Sequence, residues 1–91
     1  MTRTEFVNRA RRISAEMLVE REGDAHGDIH EVEKNLIRCF ATNAKTGDRL
    51  IWLLHFKAHA VFVATYSIDT HNMLVKMYSE VSRKAVQRDS V

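Results

Sequence analysis

The sequence predicts an all-α protein, a small four-helix bundle that occupies residues 1–91 as a single domain. Three observations lead to this prediction. Apolar residues recur at helical spacing near both ends of the chain. The chain has no proline, and its three glycines lie in short polar connectors. The long apolar segment 50–68 has no turn-forming residue at its middle, which favours one continuous helix there.

The first helix is predicted over residues 4–22. Thr2 and Glu5 stand three apart, the spacing of a capping box, in which two side chains satisfy backbone N–H groups where a helix begins. Apolar residues then form one stripe along the helix: Phe6, Ala10, Ile13 and Met17. Gly23 is expected to end the helix, because glycine accepts the left-handed conformation that commonly follows the last turn.

The second helix is predicted over residues 28–44. Asp28 and Glu31 repeat the capping-box spacing. Apolar residues again recur at helical intervals after the cap: Ile29, Val32, Leu36, Cys39 and Phe40. Gly47 suits the end of this helix and Asp48 suits the start of the next one.

The third and fourth helices are predicted over residues 48–66 and 69–88. The third contains most of the large apolar side chains of the chain. Asp69 or Thr70 can cap the fourth, which has an apolar stripe that includes Leu74, Met77 and Tyr78. The short connections between the four segments are typical of an up-and-down bundle.

An α+β fold is the alternative that the sequence leaves open. It has a three-stranded antiparallel meander at about residues 36–42, 49–56 and 60–67, packed on N- and C-terminal helices. The β-branched and aromatic residues between positions 61 and 68 favour these strands. The second turn of such a meander would be residues 56–59, which contain no Gly, Pro, Asn or Asp, and this favours the helix.

Composition is typical of one compact domain, with 45% hydrophobic and 29% charged residues. A domain of this size buries only about 60–65% of its unfolded surface, so self-association would add stability. Cys39 is the only cysteine and cannot form an internal disulfide, which predicts a cytoplasmic protein with Cys39 buried as a small apolar residue. Segment 50–68 has Lys57 near its middle, so we expect no membrane span.

A helix over residues 48–66 would be apolar on two sides. One side is aliphatic, and the opposite side carries aromatic residues, which commonly anchor interfaces. The candidate residues for binding a partner are Trp52, Phe56, Phe62 and Tyr66. Since an exposed apolar surface rarely stays uncovered, we expect a protein partner and a homodimer formed through this helix.

His55 and His59 are the candidate metal ligands. Four residues apart on a helix, both imidazoles would lie on one face and could share a metal ion. Two ligands do not complete a site, because catalytic zinc takes three protein ligands and structural zinc takes four. Metal binding is therefore an alternative to the interface.

Basic residues near both ends of the chain indicate a second alternative, binding to nucleic acid. The candidate residues are Arg9, Arg11, Arg12, Arg83 and Lys84. The net charge is only +2, and Arg12 stands four residues before Glu16, with which it can pair on a helix. Most of this charge is thus expected to form a solvated surface.

The sequence contains no motif that indicates an enzyme. It has no Gly-rich phosphate loop, no Gly-x-Ser-x-Gly elbow and no His-Glu-x-x-His pair. We therefore expect no catalytic residues and no cofactor. The prediction is a small non-enzymatic protein that acts by binding another protein, as an adaptor, regulator or inhibitor.

Overall fold

The computed structural model describes residues 1–79 and the backbone of residues 85–90. Over these residues the chain is α+β, with two helices followed by an antiparallel meander of five strands. The strands lie side by side in chain order, so β3 is central. The elements are α1 (Arg3–Glu22), α2 (Ile29–Asn35), β1 (Ile37–Asn43), β2 (Arg49–His55), β3 (Ala60–Ser67), β4 (Asn72–Ser79) and β5 (Ala85–Ser90).

The predicted four-helix bundle is therefore wrong. The first predicted helix is confirmed, but the second ends at Asn35 and is followed by β1. The predicted third helix, 48–66, is the hairpin of β2 and β3, and strands β4 and β5 lie where the helix 69–88 was predicted. The alternative meander fits better, since its three strands correspond to β1, β2 and β3, although its C-terminal helix is also wrong.

Local signals fix both ends of α1. The Thr2 side chain accepts a hydrogen bond from the backbone N–H of Glu5, as its spacing predicts. Gly23 ends the helix with a positive φ of 64°, and its N–H bonds to the carbonyl of Val19. The predicted apolar stripe is buried. This helix lies across β2, β3 and β4, and it covers one face of the sheet.

Two features limit α2 to two turns. Asp28 caps its start by accepting from the N–H of Glu31. At its end, Nη1 of Arg11 donates to the carbonyl oxygens of Glu33 and Leu36, at 3.1 and 2.8 Å. The Glu33 carbonyl also accepts the N–H of Leu36 at 3.3 Å, so Arg11 adds a bond there and supplies one to the Leu36 carbonyl just beyond the last turn.

The sheet has an inner face, packed against α1, and an outer face. Side chains alternate between the two faces along each strand. In β3 the alternation is regular, with Phe62 and Ala64 buried and Val61 and Val63 only half-buried. The buried side chains of the inner face are Ile51, Leu53, His55, Ala60, Phe62, Ala64, Tyr66, Met73, Val75 and Met77.

The turn between β2 and β3 forms without the usual turn residues. His59 adopts a positive φ of 50°, and its N–H bonds to the carbonyl of Phe56 at 3.1 Å. The buried His55 accepts the N–H of Ala58 on Nδ1, at 3.2 Å. An imidazole therefore supplies a bond that Asn or Asp often supplies in turns, which is why residues 56–59 reverse the chain.

No helix in the described part of the chain is long and apolar enough to cross a membrane.

Candidate interaction surface

The outer face of the sheet is an open surface. It is defined by the positions that alternate with the buried ones and by the pairing of the strands. No described element packs over it, because α1 and α2 lie on the other side. Its residues on β1 to β4 are Ile37, Phe40, Thr42, Leu50, Trp52, Leu54, Val61, Val63, Thr65, Ser67, Asn72, Leu74, Lys76 and Tyr78.

Large apolar side chains on this face are unusually exposed. Trp52 and Tyr78 are each 44% exposed, and Phe40 is 54% exposed. Isolated exposed apolar residues are ordinary on protein surfaces, but a contiguous apolar patch is typical of an interaction site. Here the exposed rings stand on neighbouring strands around half-buried aliphatic residues, so they form such a patch.

A bulge in β1 places Phe40 on the outer face. Arg38 pairs with Leu53 and Phe40 pairs with Trp52. Because Leu53 and Trp52 are consecutive on β2, Cys39 is an extra residue with no pairing partner on that strand. Without the bulge, strict alternation would give Ile37 and Phe40 opposite faces. With it, Phe40 contacts Trp52 edge to face, with ring centroids 6.5 Å apart. The predicted burial of Cys39 is wrong, because the bulge leaves it exposed.

The apolar end of the outer face contains a groove of about 420 Å³. Trp52 on β2 and Tyr78 on β4 form its two sides, and Val61 and Val63 on the central strand form its floor. Two aromatic walls over a floor of β-branched residues can receive an apolar side chain from a partner and remove it from water.

The other end of the outer face is polar, and Asp48 and Arg49 lie beside it. A second groove of about 500 Å³ lies there, and the hydroxyl groups of Thr42, Thr65 and Ser67 contribute to its lining. Asp48 also lines it, but Oδ1 of Asp48 already accepts the N–H of Ile68 at 2.8 Å. The outer face thus changes from apolar to hydroxyl-rich along the strands.

Lys76 is the only charged residue among the outer-face positions of β1 to β4. On β5, Asp89 pairs with Leu74 and so also occupies an outer-face position. It stands on β4 at the level of Val63, and in the described part of the chain its ammonium group has no ion pair. A ligand that carries many negative charges would find a single cation here.

The structure separates the predicted partner-binding residues. Trp52 lies on the outer face, and Phe56 is 66% exposed in the turn between β2 and β3. Phe62 and Tyr66 lie in the core, and the Tyr66 hydroxyl is 3.3 Å from Nδ1 of His71. The reason is that side chains repeat every 3.6 residues in a helix but alternate between faces in a strand. Four residues on one side of a helix therefore fall on both faces of a hairpin.

The predicted metal pair does not share a helix face, because it flanks a turn. His55 is buried and uses Nδ1 to hold the N–H of Ala58, whereas His59 lies in the exposed loop. The described residues contain no group of three His, Cys, Asp or Glu side chains that could hold a metal ion. Metal binding by His55 and His59 stays a prediction, but the helical spacing that motivated it is absent.

The predicted nucleic-acid residues have different roles on α1. Arg9 is exposed, Arg11 holds the end of α2, and Arg12 forms an ion pair of 2.7 Å with Glu33. This carboxylate raises the pKa of Arg12. Two of the three cations are thus occupied within the chain. Arg83 and Lys84 lie outside the described residues, and nucleic-acid binding through this set stays a prediction.

Sequence reasoning did not identify Phe40, Lys76 or Tyr78 as surface residues. The signal that could have identified two of them is the strict alternation of the segment 72–79, where Met73, Val75 and Met77 are buried. The bulge that exposes Phe40 has no comparable signal in the sequence.

Comparison with protein-family models, with curated proteins and with solved structures finds no match to this chain.

Proposed function

We propose that this protein is a non-enzymatic binding module that acts by docking the outer face of its sheet against another protein chain. One observation carries the proposal: three exposed aromatic rings and a valine-floored groove form one patch on a regular sheet. Aromatic residues are enriched at the centres of protein interfaces, where their burial provides much of the binding energy.

Single-stranded nucleic acid is the competing ligand, because aromatic residues on an open antiparallel sheet can stack on bases. The charges of the outer face oppose this function. Each bound nucleotide brings a phosphate, yet Lys76 is the only cation among the described positions of the face. Aliphatic residues also fill the space between the rings. A protein surface, which supplies apolar side chains and few charges, fits this chemistry better.

Site-specific photo-cross-linking in the native host tests the proposal. A benzophenone amino acid replaces Trp52 in one variant and Asn8, an exposed residue of α1, in the control. We expect protein adducts from position 52 and none from position 8. If position 52 gives no protein adduct, the proposed function is wrong.

Fluorescence provides the test against nucleic acid. Trp52 is the only tryptophan of the chain, so its emission reports on the outer face alone. We expect single-stranded oligonucleotides to leave the emission unchanged at low salt. Quenching that weakens steeply as salt rises would establish nucleic-acid binding and overturn the proposal.

The proposed compartment is the cytoplasm. Cys39 is a free, exposed thiol, and the reducing cytoplasm keeps such a thiol from oxidation.

A further inference from the structure

We infer that the occupant of the outer face is a second copy of this chain, packed face to face about a two-fold axis that runs along β3. This inference rests on the proposed function, since it names the partner of the same surface. Four properties of the face support it: its register, its polarity, its charge and its area.

The register makes the outer face self-complementary. Rotation about an axis along β3 keeps each residue's position along the strands and exchanges β2 with β4. Residues that pair with the same β3 residue therefore meet across the interface. Leu54 and Tyr78 both pair with Val61, and Leu50 and Leu74 both pair with Thr65. Leu54 thus meets Tyr78 of the other copy, and Leu50 meets Leu74.

Polarity matches under the same rotation. Because positions along the strands are preserved, the groove floored by Val61 and Val63 faces its own copy. The hydroxyl-bearing end, with Thr65 and Ser67, also faces itself, and hydroxyl groups can both donate and accept hydrogen bonds. An axis perpendicular to the strands would instead bury the apolar end against the polar end.

The cation of the face, Lys76, also finds a partner. Trp52 and Lys76 both pair with Val63, so the ammonium group of each copy lies over the indole ring of the other. Tryptophan is the best aromatic partner for a cation, and this interaction strengthens when water is excluded. The outer-face positions of β2, which face Lys76 of the other copy, carry no acidic residue, so the indole ring is the partner of this cation.

The area of the face suffices for a dimer. The strands have six to eight residues and average about 24 Å in length, and five strands span about 24 Å, so each copy offers roughly 600 Å². Two copies bury roughly 1,200 Å², the lower bound for specific, stable interfaces. Sheets pack face to face at about 10 Å with strands nearly aligned, the geometry that this axis produces.

A charge exchange tests the inference by sedimentation velocity on the purified full chain. We expect the parent protein to be dimeric at micromolar concentration. Trp52→Arg places a cation over Lys76 of the other copy, and we expect the dissociation constant to rise at least about 30-fold. Lys76→Glu alone also weakens the dimer, because it buries a carboxylate against an indole ring.

The double variant Trp52→Arg with Lys76→Glu is the decisive measurement. Each new arginine then lies over the new glutamate of the other copy, so we expect dimerisation to recover. Within one chain these two positions are separated by β3, so recovery requires contact between copies. Asn8→Glu on the exposed side of α1 is the control and should leave the dimer unchanged. Circular dichroism confirms that each variant is folded.

Cross-linking tests the position of the axis. In a Cys39→Ser background, Thr65→Cys places one thiol beside the axis in each copy, and threonine and cysteine are similar in size. We expect a short bis-maleimide to link Thr65→Cys into covalent dimers, and to leave an Asn8→Cys control monomeric. A dimer that Thr65→Cys does not link overturns the proposed axis.

The outcomes separate the inference from the function on which it rests. Suppose that the parent protein stays monomeric at high micromolar concentration while photo-cross-linking at position 52 captures a different protein. The inferred second copy is then wrong, and the proposed function stands. Adducts at position 52 that contain only this chain support both. The absence of any protein adduct at position 52 overturns the proposed function itself.

Discussion

His55 is a buried imidazole whose neutral form is favoured by its surroundings. Its Nδ1 accepts the N–H of Ala58, so the ring proton resides on Nε2, which has no hydrogen-bond partner in the described structure. Burial lowers the pKa of His55, and the nearby His26, with ring centroids 5.3 Å apart, lowers it further. Glu22 opposes this effect but does not reverse it.

This lowered pKa predicts that stability falls in mild acid. The unfolded chain binds a proton at His55 below about pH 6.5, whereas the folded chain resists it. The stabilisation is complete above pH 6.5 and is lost as the pH falls from there toward the folded pKa. Urea unfolding at pH 7.5 and 5.5 measures the loss.

Two histidine variants assign this pH dependence. His55→Asn keeps an acceptor for Ala58 and removes the titration, so its stability should change less between the two pH values. His30→Gln, at an exposed histidine outside this turn, is the matched control. A dependence that is unchanged in His55→Asn would contradict the assignment.

Gly27 and Gly23 form a matched pair for a second prediction. Both have positive φ, of 98° and 64°. A Cβ at Gly27 would lie 2.7 Å from Cβ of Glu31, while one at Gly23 would have nothing within 4 Å. We expect Gly23→Ala to cost about 1 kcal/mol of unfolding free energy and Gly27→Ala to cost about 2–3 kcal/mol. Equal midpoints in urea would show that the clash is relieved.

At the scale of elements, hairpin ends depend on single side chains. Asp48 begins the β2 hairpin, and its Oδ1 accepts the N–H of Ile68 just beyond β3. This bond holds the β1–β2 turn against the β3–β4 turn. The sequence suggested Asp48 as a helix cap, and its carboxylate does bind a backbone N–H, but one that lies 20 residues away.

Asp48 variants test this connection. Asp48→Ala leaves a half-buried N–H unpaired, and we expect a loss of about 1–3 kcal/mol in unfolding free energy. Asp48→Asn keeps the carbonyl acceptor and should recover most of this loss. Urea denaturation of the three proteins at pH 7 measures it, and equal losses in both variants would show that charge, not the hydrogen bond, matters.

Elements that depend on local signals were predictable. The cap at Thr2, the stripe from Phe6 and the stop at Gly23 together predicted α1. The strands were not predictable in the same way. Segment 50–68 fits the period of a helix and that of a strand, and the turn at its middle depends on His55 and His59. A helical stripe also fits Leu74, Met77 and Tyr78. In the structure, however, the buried residues are Met73, Val75 and Met77, which are two apart, as in a strand. Whether such a segment forms a helix or a strand is decided by the elements against which it packs, and not by its own pattern.

The candidate surface was predicted in part for the same reason. Segment 50–68 was expected to face two environments, and it does so with the period of a strand. Trp52 is exposed on the outer face, whereas Phe62 belongs to the core. The remainder of the surface comes from β1 and β4, which no local pattern connects to Trp52.

At the scale of the whole molecule, self-association predicts a concentration-dependent melting temperature. A dimer that forms only from folded chains gains stability as concentration rises. We expect calorimetry over a 100-fold concentration range to show a rising melting temperature for the parent, and a nearly constant one for Trp52→Arg. A parent melting temperature independent of concentration would contradict dimerisation.

The bulge at Cys39 has a consequence for how far assembly can proceed. The free edge of β1 offers backbone groups that could recruit another strand, and such growth has no natural end. The extra residue interrupts the regular spacing of those groups while it turns Phe40 toward the outer face. One insertion therefore discourages open-ended growth at this edge and, at the same time, adds an aromatic ring to the outer face.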